Sequence, residues 1–233
     1  MYTATDLLAS AQELNFGSQP ASVKFALWIA AMSAQQSLEK NGVAARVLAA
    51  YVDSELPDRE SLYAELCTWG CNVNNNHLNA LYHAQELEWN GQLVTLGAYS
   101  SPNIIDQLTW RKNAWDLFHP YNETTGKREG KGMAWKTISF ALMLLNPLSC
   151  QLVPIDRHHL ARLGYNKNKG VQNYATYLRI ETEIRQEAVK EGLATIPLAL
   201  FAWKKWEEYR QLTGASTECD KLQSHILLSC RMY

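Results

Sequence analysis

The segment that decides the fold of this 233-residue chain reads Gly126-Lys-Arg-Glu-Gly-Lys-Gly-Met-Ala-Trp-Lys136-Thr-Ile-Ser-Phe-Ala-Leu-Met-Leu-Leu-Asn146. It begins as a basic, glycine-rich turn and continues, from Met133 to Leu145, as a stretch that is apolar on nearly every helical face. A helix with apolar residues all round is expected to be buried. Lys136, in the first turn of this helix, is its only charged residue. The segment therefore predicts a turn that leads straight into a core helix bearing one lysine.

Outward from this segment, the helical spacing of apolar residues continues over most of the chain. The spacing predicts about ten helices, at 22–37, 42–52, 58–69, 75–89, 102–118, 133–146, 156–163, 170–191, 196–212 and 218–229. Only residues 92–99 are compatible with a strand. We expect an all-α protein, a single domain over residues 1–233 built as a two-lobed helical bundle, with the functional segment at about 126–165.

The composition excludes several other classes of protein. Hydrophobic residues make up 47% of the chain and charged residues 19%, which is typical of a globular core and excludes wholesale disorder. No run reaches the roughly 18 apolar residues of a membrane span, and the first residues lack the pattern of a signal peptide, so we expect a cytoplasmic protein without membrane contact. The five cysteines are scattered, which predicts reduced thiols and no ligand set for zinc or an iron–sulfur cluster. We expect no metal and no cofactor.

Charge is distributed unevenly along the chain, although 22 basic and 23 acidic residues nearly cancel. Residues 109–170 contain ten basic and four acidic side chains, a net charge of +6, so the remainder of the chain carries −7. A cationic stretch of this kind is typical of a local footprint for a polyanion. The alternative is a chance cluster on a solvated face.

The glycine-rich turn and the lysine that follows it have the composition of an anion site next to a nucleophile. Free backbone N–H groups around Gly130, Lys131 and Gly132, with the positive end of the helix dipole, are suited to binding a phosphate. Burial and the same dipole both disfavour the ammonium form of Lys136, and an uncharged lysine can form a Schiff base with a sugar aldehyde. The alternative for Lys136 is a solvated side chain that contacts phosphate.

A carboxylate stands twenty residues further on, where Asp156 opens the next predicted helix. A carboxylate in this place is suited to stabilising the cationic sugar of a glycosyl-transfer transition state. The alternative is an ordinary helix N-cap, since aspartate is among the preferred capping residues.

Two motifs together resemble those of a known superfamily, the helix-hairpin-helix DNA glycosylases, which includes endonuclease III and the 8-oxoguanine DNA glycosylases. Gly132-Met-Ala134-Trp-Lys136 is similar to its Gly-x-Gly-x-Lys hairpin, with alanine in place of the second glycine, and Val153-Pro-Ile-Asp156-Arg-His158 is similar to its Pro-x-Asp-x-His segment. Lys136-Thr-Ile-Ser-Phe-Ala and the segment from Gly192 to Trp203 look most like the archaeal 8-oxoguanine branch. The resemblance covers about 35 residues, from Gly130 to Tyr165.

This resemblance implies a helix-hairpin-helix DNA-binding motif and an enzyme that flips out and excises a modified base, 8-oxoguanine first. Lys136 would attack C1′ of the damaged nucleotide, Asp156 would assist base loss, and β-elimination through the Schiff base would nick the strand. The implied partner is double-stranded DNA containing a modified base, bound by a monomer. The amides of Gly130, Gly132 and Ala134 would hold a phosphate, and the further implied DNA contacts are Lys127, Arg128, Lys131, Arg157 and His158.

Three other interpretations stay open at this point. The protein could be a monofunctional glycosylase for a bulky hypermodified base of the kind found in phage DNA. It could be a DNA-binding protein that keeps the fold without the chemistry. It could also be an unrelated helical protein in which the motifs match by chance, in which case it would not bind DNA at low salt.

Several further residues are predicted to contact a flipped base or to fill the gap that it leaves in the duplex. Asn74 and Asn75 belong to an asparagine-rich segment that either contacts the orphaned base or caps a helix. Trp69 and Trp203 either stack on a base or pack in the core. His158 either orients Asp156, contacts phosphate or is structural, whereas we expect His159 to be exposed.

Overall fold

The computed structural model describes residues 16, 18–34, 36, 38–166, 170–171 and 173–214. Helix is the dominant structure of these residues, which confirms the predicted all-α class. The predicted helix at 218–229 lies outside the described residues. The α-helices of the described part of the chain are α1 Gln19–Met32, α2 Leu38–Ala49, α3 Arg59–Thr68, α4 Asn75–Trp89, α5 Ile104–Phe118, α6 Trp135–Leu145, α7 Arg157–Arg162, α8 Tyr174–Lys190 and α9 Leu198–Thr213.

Residues 92–99, the one stretch that was compatible with a strand, do not form one. The chain forms a short 3-10 helix there, Leu93–Leu96, because both of these leucines point into the core at a spacing of three residues. The strands lie instead in the segment between α5 and α6, where β1 Tyr121–Asn122 pairs antiparallel with β2 Lys127–Arg128. Two-residue strands are too short to show an alternating pattern, so the sequence gives no periodic signal for this β-hairpin.

The described hydrophobic core is divided into two clusters. The first cluster contains buried residues from Ala21 to Leu152 and is centred on α1, which packs most extensively against α6 and α4. The second cluster contains buried residues from Val153 to Ala202, contributed by α7, α8, α9 and the segment that precedes α7. The two clusters meet at the first turn of α6, where Trp135 packs against the second cluster while the rest of the helix belongs to the first.

Helix α6 is buried as its sequence predicts. Its first described turn has no side-chain cap, because Ala134 occupies the N-cap position. None of the described helices is long and apolar enough to cross a lipid bilayer. The buried residues of α6 are Thr137, Ile138, Ser139, Ala141, Leu142, Leu144 and Leu145.

Candidate active site

Asp156 is the N-cap of α7, and one of its two carboxylate oxygens carries the cap. Oδ1 accepts hydrogen bonds from the backbone N–H groups of His158 at 2.8 Å and His159 at 3.2 Å, and it lies 2.9 Å from Nδ1 of the His159 ring. Oδ2 accepts no hydrogen bond from any described atom. The capping interpretation is therefore confirmed, and the cap still leaves one carboxylate oxygen available to a substrate.

The surroundings of Asp156 keep it ionised. Burial alone would raise the pKa of its carboxyl group, but the charge and hydrogen bond of His159, followed by the charges of Lys136 and His158, hold the pKa well below the usual aspartate range. A group with so low a pKa is a carboxylate at neutral pH. It is therefore suited to stabilising positive charge and unsuited to donating a proton.

Lys136 lies near this carboxylate, so the structure brings together the two residues that the sequence analysis singles out for chemistry. It stands in the first turn of α6, partly buried, and its positive charge is among the influences that lower the pKa of Asp156. Its ammonium group makes no hydrogen bond or ion pair with another described residue. The amine therefore influences Asp156 through its charge and lies beyond ion-pair distance of it, and no described side chain fixes its position.

Both histidines after Asp156 are buried, so the expected exposure of His159 is wrong. His159, which we expected to be exposed, is fully buried, because its ring folds back onto the N-cap to complete a capping box and packs edge-on against Trp203 at 5.4 Å. His158 is also buried, with its ring 4.7 Å from that of Trp206, and this burial lowers the His158 pKa. The residue that orients the carboxylate is therefore His159.

The glycine-rich turn makes a close backbone contact with the start of α4. Gly132 has a φ of +83°, and a Cβ atom on this residue would lie 2.1 Å from the carbonyl oxygen of Asn76. The amide of Lys131 donates to the carbonyl of Phe118 at 2.9 Å, which ties the turn to the end of α5. The amides of Gly130, Gly132 and Ala134, which were predicted to hold a phosphate, donate to no acceptor in the described part of the chain.

Replacing Gly132 by alanine is expected to lower the free energy of unfolding by about 2–3 kcal/mol, since the new Cβ adds an overpacked contact to a left-handed backbone conformation. Gly91→Ala is the matched control, because Gly91 has a φ of +66° and nothing within 4 Å of its would-be Cβ. Urea denaturation of both variants measures the difference. Equal losses of stability would show that the approach to Asn76 costs nothing.

Most described cations of residues 109–170 are neutralised by acids within the protein. Arg111 is fully buried against Glu181, and Arg162 pairs with Glu187 at 2.8 Å. Arg128 is bound by Asp116 and Lys131 by Glu129, at 3.0 Å and 3.3 Å. The footprint is thus smaller than the net charge of +6 indicates, because Glu181 and Glu187, which lie outside residues 109–170, neutralise Arg111 and Arg162. The described cations of this region that make no ion pair with a described acid are Lys127, Lys136 and Arg157, while Lys167 and Lys169 lie outside the described residues.

The asparagine-rich segment has the structural role that was its alternative interpretation. Asn74 is the N-cap of α4 and forms a capping box with His77, and Asn75 is exposed beside it. Asn76 nevertheless places this segment directly against the glycine-rich turn through its contact with Gly132. A contact of Asn74 or Asn75 with a base stays a prediction.

The two predicted tryptophans lie in different places. Trp203 lies partly buried on α9 and touches the site through His159, whereas Trp69 is 63% exposed at the end of α3. A third group of aromatic rings is stacked, with centroid separations of 3.4 Å for His119 and Trp115, 3.8 Å for Trp115 and Trp135, and 4.1 Å for Trp135 and Tyr174. Both faces of Trp115 and Trp135 are covered in this stack, so these two rings hold helices together and offer no face to a base.

The sequence analysis missed a buried polar network beneath the site. Arg111 of α5 forms two hydrogen bonds with the Glu181 carboxylate of α8, at 2.9 Å and 3.0 Å, and a third with Ser139 Oγ of α6 at 3.0 Å. Tyr177, one turn before Glu181, is buried with them. The only signal in the sequence is an acidic residue on the otherwise apolar face of α8, together with Ile180 and Ile184.

No family model, curated protein or solved structure matches this chain. The superfamily suggested by the two motifs therefore stays a prediction. Among the described residues no cluster of three or more metal-ligating side chains is present.

Proposed function

We propose that this protein is a DNA glycosylase that excises a modified base, with Asp156 and Lys136 as its catalytic residues. The observation that supports it most strongly is the pairing at the junction of the two clusters. A carboxylate with one anchored and one unengaged oxygen lies within reach of the charge of Lys136, the single lysine of a buried helix. Together with the two motifs, this pairing favours glycosidic chemistry over a chance match.

In the proposed reaction the modified nucleotide leaves the base stack and enters the junction. The bond between C1′ and the base breaks, its electron pair departs with the base, and the positive charge that develops on the sugar is stabilised by Oδ2 of Asp156. Lys136, after giving a proton to the departing base, attacks C1′ through Nζ; the new ammonium passes a proton to O4′ as the C1′–O4′ bond breaks, which leaves a Schiff base. Water then takes a C2′ proton, the C1′–C2′ electrons shift, and the bond to the 3′ phosphate breaks in β-elimination.

The duplex is held by the glycine-rich turn. The unengaged amides of Gly130, Gly132 and Ala134 lie immediately before α6, where the helix dipole favours an anion. Lys127 and Arg157, both exposed and without an acidic partner in the described structure, supply the positive charge around them. Arg128, Lys131 and His158 are proposed as weaker contacts, since each is already engaged within the protein.

Borohydride trapping on a duplex with an abasic site tests the lysine step. The wild type is expected to form a covalent adduct that survives denaturing electrophoresis, and Lys136→Gln is expected to form none. Lys190→Gln, which removes an exposed lysine at the end of α8, is the control and should trap like the wild type.

The same experiment, extended to duplexes that carry 8-oxoguanine or bulkier modified bases, separates the alternatives. Base release without an adduct indicates a monofunctional glycosylase. Retention of DNA without release or adduct contradicts the enzyme proposal and indicates a DNA-binding protein. Failure to bind DNA at low salt contradicts both.

A further inference from the structure

The backbone segment that precedes Asp156 is held in place by hydrogen bonds to a single side chain, Tyr177. Residues Val153, Pro154 and Ile155 form a tight turn in which the N–H of Ile155 donates to the carbonyl of Val153 at 2.8 Å. The hydroxyl of Tyr177 donates to the same carbonyl at 2.6 Å and accepts from the same N–H at 3.0 Å. Tyr177 therefore binds both ends of the turn immediately before Asp156.

The same turn is bound a second time from α8. Glu181, one helical turn after Tyr177, accepts a hydrogen bond from the N–H of Val153 at 2.8 Å through Oε1. This oxygen also accepts a hydrogen bond from the Arg111 guanidinium. Two buried side chains of α8 thus fix three backbone groups of the segment that ends at Asp156.

The network reaches the helix of Lys136 through Ser139. Ser139 Oγ lies 3.0 Å from the Arg111 guanidinium and 3.4 Å from the Tyr177 hydroxyl, and Ser139 stands three residues after Lys136 on α6. All four members of the network are buried. Buried hydrogen-bonded groups of this kind have few alternative geometries.

We propose that Tyr177 is a positioning residue that, together with Arg111, Ser139 and Glu181, sets the separation between Lys136 and Asp156. This inference rests on the proposed function, because it assigns the network a role in that chemistry. The network connects α6, which bears Lys136, to the turn before α7, which leads to Asp156. It therefore fixes the position of one catalytic residue relative to the other. Neither Tyr177 nor its partners touch the substrate.

The test is Tyr177→Phe, which keeps the ring and removes the hydroxyl. The rate of adduct formation in a single turnover is expected to fall by about 10–100-fold, because misplacement by about 1 Å costs this much, while the Kd for abasic duplex stays within twofold. Tyr165→Phe is the matched control, since it removes a hydroxyl bound to Glu183 of the same helix, away from the turn. It should leave the rate unchanged.

A pH profile separates positioning from a loss of stability. Asp156 is faced by His158 and His159 of α7 and by Lys136 of α6, and a loosened turn draws the carboxylate away from these groups. Its pKa then rises towards the ordinary value in Tyr177→Phe and stays in place in Tyr165→Phe. A lower melting temperature with an unmoved Asp156 pKa and an unchanged rate would overturn the proposal.

An NMR titration of the Asp156 carboxyl carbon keeps the two proposals distinguishable. If the wild type neither releases a base nor forms an adduct, the proposed function fails, and the carboxyl titration still reports whether Tyr177 holds Asp156 in place. If Tyr177→Phe does not fold, Ser139→Ala gives the same test with a smaller change. An Asp156 titration that is identical in the wild type and in the folded variant contradicts the positioning role.

Discussion

Replacing Glu181 by alanine is expected to lower the free energy of unfolding by about 3–5 kcal/mol, because it leaves a buried guanidinium without its counter-charge. Arg111 is 0% exposed and directs two of its hydrogen bonds to Glu181. The carboxylate also raises the pKa of Arg111 against the opposing effect of burial, so the arginine stays charged. The same change removes the acceptor of the Val153 N–H group, which adds to the loss.

Urea denaturation measures this loss, and Glu183→Ala is its control. Glu183 lies on the same helix and binds only the Tyr165 hydroxyl among the described residues, so its removal should cost no more than about 1 kcal/mol. The double variant Arg111→Met with Glu181→Leu should recover part of the stability, because it removes both buried charges. Equal losses of unfolding free energy for Glu181→Ala and Glu183→Ala would contradict the role of Glu181 as the counter-charge of Arg111.

The local features of the site could be predicted from the sequence. Asp156 and Asn74 cap helices, as their residue types favour, and α6 is buried, as its apolar faces require. These are interactions within a few residues of each other. A sequence pattern records them directly, because the partners are separated by one helical turn.

The contacts between distant segments could not be predicted in this way. Arg111 and Glu181 are 70 residues apart, and each alone reads as an ordinary surface charge. Gly132 is required by a carbonyl of Asn76, which a single sequence does not place beside it. The expectation that His159 is exposed was wrong for the same reason, since the burial of its ring depends on Trp203 of α9.

These distant contacts also change what the charge of the chain means. The sum over residues 109–170 counts Arg111 and Arg162 as part of a cationic face, yet acids of α8 neutralise both. In the proposed function, DNA binding accordingly depends more on backbone amides, and on a few basic side chains without a described acidic partner, than on net charge. The proposed phosphate site is therefore the start of α6, close to Lys136.

Changing Asp156 to asparagine is expected to slow base release by about 10²–10³-fold, the usual cost of removing one electrostatic stabiliser from a transition state. Asparagine caps a helix about as well as aspartate, so the variant keeps α7 and loses only the negative charge. The rate of base release from a modified duplex, measured in a single turnover, tests this. Asp58→Asn is the matched control, because Asp58 is also a helix N-cap, at α3, with two backbone donors and a lowered pKa.

The pH dependence of the wild type provides an independent check on the same carboxylate. Because the folded pKa of Asp156 lies below its unfolded value, the group contributes stability above about pH 4 and loses it as the pH falls through the folded pKa. Base release should follow the ionised carboxylate and persist below the pH at which an ordinary aspartate titrates. Equal rates for the wild type and Asp156→Asn across this pH range would show that the charge on Asp156 does not stabilise the reaction.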